Sequence, residues 1–376
     1  MDDLLAGVEA AAGLAVFGGF PAPARRELVA DGTPARLAGK DPTLWGTAAA
    51  ATAGHRLGWV DAYLRSRRLL PQIAELGEEL ADLDEVVVAG PATAASAIAR
   101  SLGKWLTVLG GGAPSPGGRA LDPARLRDAV ADPDRLERTV VVLTDGADHL
   151  RDPFWRAYRD LGRTEAEASR HFVAVAAPGS VLETSARELG VVVLPADPDV
   201  RGAFGALTAS ALIPAALAGV DVAALLDEAE SLAPSLARDH DNPALALGAA
   251  LTTSRPSAGR PVRTPPLPRG LIALVNDGTG FEGLGDWAAE LLSAAGLRAV
   301  AVDDRSTGDR STAGALTVSY GGALGPAGVP GGGVRPDVAV NGPLGAQFLA
   351  WQYAVAVAAI VLGVDPFTDT RTAAHS

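Results

Sequence analysis

The sequence predicts an α/β protein of two domains, on three observations. Short runs rich in Val, nearly continuous in hydrophobicity, alternate with amphipathic stretches, as when parallel strands are covered on both faces and joined by crossover helices. The length of 376 residues suits two domains, each able to bury its own core. Residues 252–269 hold five Pro and no apolar periodicity, and separate two sets of strands as a linker would.

The elements follow in order. Candidate strands are 85–89, 105–109, 139–143, 172–176, 191–194, 271–275, 298–302 and 337–340. Helical patterns at 71–83, 154–161 and 222–232 sit between them, the last with Asp221 as a natural N-cap. Residues 110–118 and 321–333 are rich in Gly and read as loops. The reading is a helical region plus a first domain over 1–251, a linker over 252–269, and a second domain over 270–376 closed by a C-terminal helix. The apolar segment 348–364 carries Gln352 and Tyr353 and falls short of the ~20 residues a spanning helix needs, so it is expected in a core. The N-terminus opens with Asp2 and Asp3 where a secretory signal needs Lys or Arg, which makes the cytoplasm the expected location.

Composition narrows the function. A net charge of −12 opposes nucleic acid and anionic membranes, because phosphate binding needs clustered Lys and Arg. The absence of Cys excludes disulfides, Cys-ligated zinc and a Cys nucleophile. The five His show no metal-ligand spacing, and no P-loop, dinucleotide fingerprint or nucleophile elbow is present, so neither metal nor cofactor is expected. Asn276-Asp277-Gly278-Thr279-Gly280 follows a strand, but a lone Gly-rich turn is weak evidence for a nucleotide.

Several segments resemble one family. Asp41-Pro42-Thr43-Leu44-Trp45-Gly46, Arg56-Leu57-Gly58-Trp59-Val60-Asp61 and the 66–73 run SRRLLPQI look like the N-terminal region of actinobacterial phosphoglucose isomerases. The 204–221 run, Asp286-Trp287-Ala288 and residues 351–367 are similar to later parts of the same family, colinear from about residue 40 to 367. The resemblance implies two sugar isomerase (SIS) domains, each a doubly wound parallel sheet in three αβα layers, with a site between them and usually a dimer.

The family's chemistry is mostly missing. Its first phosphate loop, GxGGSS, is matched by Gly90-Pro91-Ala92-Thr93-Ala94-Ala95, which keeps Gly90 and has Thr93 as a lone nearby hydroxyl. Its second, SSKSGST, is matched by 144–150, where Thr144 survives and Asp145 and Asp148 would meet a phosphate with like charge. These two Asp are expected to cap a helix, and with His149 they form a small polar cluster that offers a metal or acid–base alternative. The family's GGR aligns with Arg201-Gly202-Ala203, so the Arg position is Ala203, and Arg201 reads as a surface side chain. The general base of ESTGK falls on Ala294, with Glu290 one turn earlier as the only nearby substitute. The family's Lys beyond the helix has no match in 368–376, and His375 sits near the chain end.

The expected function is therefore a phosphoglucose-isomerase-like scaffold with an eroded sugar-phosphate site, catalytically silent or strongly diverged. Gly90, Thr93, Thr144, Asp145, His149 and Gly202 are the candidate substrate-binding residues. The alternative is an active aldose–ketose isomerase acting on glucose 6-phosphate or another phosphosugar, with Arg201, Thr144 and Glu290 rebuilding the site. Expected partners are a sugar phosphate or related small ligand and a second copy of the chain, extended to a hetero-complex with an active isomerase.

Overall fold

The computed structural model of the chain describes residues 7–19, 22–110, 123–253, 270–302, 315–322 and 336–367. The strands are β1 (Gly7–Ala11), β2 (Leu14–Gly18), β3 (Glu85–Ala89), β4 (Thr107–Leu109), β5 (Thr139–Thr144), β6 (Phe172–Ala176), β7 (Val192–Pro195), β8 (Leu271–Asn276), β9 (Arg298–Val302), β10 (Leu316–Gly321) and β11 (Val338–Asn341). All eight runs expected from the sequence are strands, with ends shifted by a residue or two. The hairpin β1–β2 and strand β10 are additions to that reading.

By contacts the chain groups into a mid-chain unit, Ala62–Ala223, and a split unit, Met1–Asp61 with Ala224–Ser376. This grouping is discontinuous, whereas the sequence reading divides the chain linearly at 252–269. All of that linker except Thr252 and Thr253 lies outside the described residues, as do 111–118 and 323–333 of the two expected loops, 368–376 and His375. The split arises because β2 pairs antiparallel with β11, which ties the N-terminal hairpin to the sheet of the C-terminal strands.

The mid-chain unit carries a five-stranded parallel sheet in the order β4-β3-β5-β6-β7. Strand β5 is buried at every position, which explains its unbroken run of apolar residues. Phe154, Tyr158, Phe172 and Leu143 form the heart of its core. Tyr158 stacks on His171 at 4.3 Å, and its hydroxyl lies 3.0 Å from the Leu136 carbonyl and 3.1 Å from that of Thr139. His171 Nδ1 donates to the same Thr139 carbonyl at 2.9 Å, and burial pushes its pKa below the ordinary value of 6.5 against the opposing pull of that bond.

The split unit carries a six-stranded sheet in the order β1-β2-β11-β10-β8-β9, parallel from β11 to β9. The apolar segment near the C-terminus is the helix Leu344–Leu362, as expected a core element. It is long and apolar enough to cross a membrane, yet 89% of it is buried inside the protein. Trp287 stacks edge-on against its Phe348 at 4.6 Å, and Trp59 against its Tyr353 at 5.1 Å. Close helix contact needs Gly248 on the helix Pro243–Leu251, where a Cβ would lie 2.7 Å from the Ala354 carbonyl.

Candidate functional site

Each parallel sheet has one point where the chain reverses its direction of growth. In the mid-chain unit β4 lies on one side of β3 and β5 on the other, so the reversal falls between β3 and β5. In the split unit β9 and β10 flank β8 in the same way. Open α/β sheets bind ligands in the crevice outside the carboxyl ends of the strands at such a point.

At the mid-chain reversal the structure brings together Gly90 and Thr144. Gly90 follows β3 with φ 127°, and a Cβ there would sit 2.0 Å from Thr144 Oγ1. Only glycine permits this approach. The Thr144 hydroxyl is buried and donates to the Ala89 carbonyl at 3.3 Å. The Thr144 hydroxyl is thus engaged in closing β3 against β5.

The neighbouring groups continue the closure. Asp145 Oδ2 accepts from Ala177 N at 2.7 Å, which ties the end of β5 to the chain leaving β6. The expectation that Asp145 caps a helix is corrected by this geometry. Helix Asp148–Asp160 begins after Ala147, which has no capping side chain; Asp148 is already the first helical residue, and Asp145 is bound elsewhere. Helix Thr93–Ser101 likewise starts after Ala92 without a side-chain cap. Thr93 is half-buried at its first position, and His149 is exposed on the first turn of the other helix. Uncapped N–H groups favour an anion, but the exposed Asp145 carboxylate beside them opposes one.

The remaining candidates lie elsewhere in their units. Gly202, with φ 56°, opens the short turn Gly202–Gly205, and Arg201 before it is exposed as expected. Ala203 is half-buried in that turn. Ala294 is the last residue of the helix Leu284–Ala294 and Glu290 is half-buried one turn before it. No group of three His, Cys, Asp or Glu able to hold a metal occurs among the described residues.

Sequence reasoning passed over the split unit's reversal point. Asp277, directly after β8, is buried and accepts from Thr279 N at 2.8 Å, Thr279 Oγ1 at 2.6 Å and Asn341 Nδ2 at 2.7 Å. Gly321 at the end of β10 makes room for it, since a Cβ there would lie 1.9 Å from Asp277 Oδ1. Gln347 Nε2, on the first turns of helix Leu344–Leu362, donates to the Gly321 carbonyl at 2.7 Å and the Gly342 carbonyl at 3.1 Å. At the start of that helix Gly345 N donates to Glu228 Oε2 at 2.7 Å, and burial raises the Glu228 carboxyl above its ordinary 4.5. The available signal was a polar turn after each of two predicted strands, Asn276-Asp277-Gly278 and Asn341-Gly342.

No family model matches the chain, and no curated protein matches it in sequence. Among solved structures, a glucose-6-phosphate isomerase from Chlamydia trachomatis aligns over 98% of this chain and 87% of its own, with a TM-score of 0.70 and 13% identity. A hypothetical protein from Thermus thermophilus aligns over 94% of both chains, with a TM-score of 0.65 and 15% identity. At such identities the likeness shows the fold alone: a mixed α/β chain with parallel sheets, as in that glucose-6-phosphate isomerase.

Proposed function

We propose that the chain is a phosphosugar-isomerase-like scaffold whose sugar-phosphate site has been turned over to internal bonding, leaving a binding protein with little or no aldose–ketose isomerase activity. One observation carries the reading. The Thr144 hydroxyl, where the resembling loop meets phosphate, is buried against the Ala89 carbonyl across a glycine that admits nothing larger. The Asp145 carboxylate nearby replaces attraction for a dianion with repulsion. The resemblance further places alanines, Ala294 and Ala203, where a general base and a charge-stabilising Arg would stand, and loss of a general base alone costs ~10²–10⁴ in rate.

A coupled assay for conversion between glucose 6-phosphate and fructose 6-phosphate tests this. The reading expects no turnover above about 1 s⁻¹, the low end of ordinary enzymes. Turnover above that level, abolished in Glu290→Gln, would instead assign an active isomerase with Glu290 as its base. The reading includes a cytoplasmic homodimer, which light scattering on the eluting protein would contradict by returning a monomer at micromolar concentration.

A further inference from the structure

We propose that the end of the split unit's sheet holds a second binding site, for a neutral polyol, built from Asn341 and Gln347 at the reversal between β8 and β10. Both side chains are buried, at 1% and 0% exposure, and each leaves its amide oxygen without a hydrogen bond. The orientation of each amide is fixed by chemistry. Asn341 faces the Asp277 carboxylate, which only accepts, so Nδ2 must point there and Oδ1 is left over. Gln347 faces the carbonyls of Gly321 and Gly342, which also only accept, so Nε2 takes both and Oε1 is left over. The two unpaired acceptors belong to side chains that both bond the carboxyl ends of the sheet, Asn341 to Asp277 after β8 and Gln347 to Gly321 at the end of β10, where such sheets take ligands. Buried polar groups without partners are rare and costly, and each asks for an explanation.

The chemistry selects the ligand class. Two acceptors call for donors and reject phosphate, whose oxygens would face the amide oxygens and the Asp277 carboxylate. A cation is a poor match: the free oxygens are neutral, Asp277 already accepts three hydrogen bonds, and no cluster of metal-ligating side chains occurs among the described residues. Neutral hydroxyls satisfy both oxygens without burying a charge. Bonded to Asp277 is the exposed turn Gly278-Thr279-Gly280, whose Thr279 hydroxyl accepts from Gly322 N at 2.9 Å while it donates to Asp277.

The test uses the full ¹⁵N-labelled chain and reads the side-chain amide signals of Asn341 and Gln347. The probes are myo-inositol, inorganic phosphate and potassium chloride, added separately. Saturable shifts of both amides with myo-inositol alone support the site, and Asn341→Ala should then weaken that binding by about five- to tenfold. The wild-type titration decides the matter even if that variant does not fold. Shifts with potassium or phosphate alone, shifts confined to other residues, or no shift with any probe, as when an ordered water occupies the site, would overturn it. None of these results bears on isomerase turnover, so this inference and the proposed function stand or fall separately.

Discussion

The two reversal points share a topology and differ in how they are closed. Between β3 and β5 the closure is a single hydroxyl–carbonyl bond, made possible by Gly90. Between β8 and β10 it is a buried carboxylate–amide network around Asp277, made possible by Gly321. The first leaves no free polar atom on Thr144 beyond its lone pairs and faces an exposed carboxylate. The second leaves two buried acceptors unpaired. One fold thus supports two chemistries, set by a few residues at strand ends and not by the sheet.

The sharpest way to break the comparison is Gly321→Ala. Its Cβ would lie 1.9 Å from Asp277 Oδ1, so the carboxylate must leave a network of three hydrogen bonds while still buried. The expected loss is about 3 kcal/mol or more in urea unfolding, combining overpacking with lost charged hydrogen bonds. It should appear in probes of the split unit, such as Trp287 fluorescence, and spare the mid-chain unit.

Gly90→Ala should cost less, about 2 kcal/mol, because its clash is with one hydroxyl at 2.0 Å plus the strain of a positive φ. Adding Thr144→Ala removes the atom in the way. The double variant should recover roughly 1 kcal/mol of that loss, a non-additivity expected only of residues in contact. Simple additivity would mean that Thr144 does not close on Gly90.

The smallest effect is a difference in the sign of pH dependence. His171 in the mid-chain unit has a lowered folded pKa, so its unfolded form takes the proton first. Its contribution is complete above 6.5 and is lost as pH falls from there toward the folded value. Glu228 in the split unit has a raised folded pKa, so its contribution is complete below 4.5 and is lost as pH rises through the folded value. Thermal unfolding followed with a probe in each unit should therefore show His171→Phe flattening the acid side of one transition. Glu228→Gln, which keeps an acceptor for Gly345 N, should flatten the fall in stability that the other shows as pH rises from 4.5.

Much of the fold was legible because it rests on local pattern. β3, β5, β6 and β8 are apolar runs covered on both faces, and the core helix near the C-terminus betrayed itself by Gln352 and Tyr353 within an apolar stretch. β10 was missed because Leu316–Gly321 mixes Thr and Ser into a short run beside Gly-rich sequence. The hairpin β1–β2 was missed because its partner, β11, lies over 300 residues away, beyond any local signal. The candidate site was legible only as a list of residues. That Thr144 turns onto Ala89, and that Asp145 binds Ala177 and caps nothing, depends on how strand ends pack, with partners 55 and 32 residues apart. The Asp277–Asn341 pair, 64 residues apart, was invisible for the same reason.

Calorimetric titration of the intact protein with fructose 6-phosphate at neutral pH tests the closed mid-chain reversal most directly. The account predicts no saturable heat, meaning a dissociation constant weaker than about 1 mM, or about −4.1 kcal/mol. Micromolar binding that disappears in Thr144→Val would show that the hydroxyl serves a phosphate and would contradict the account.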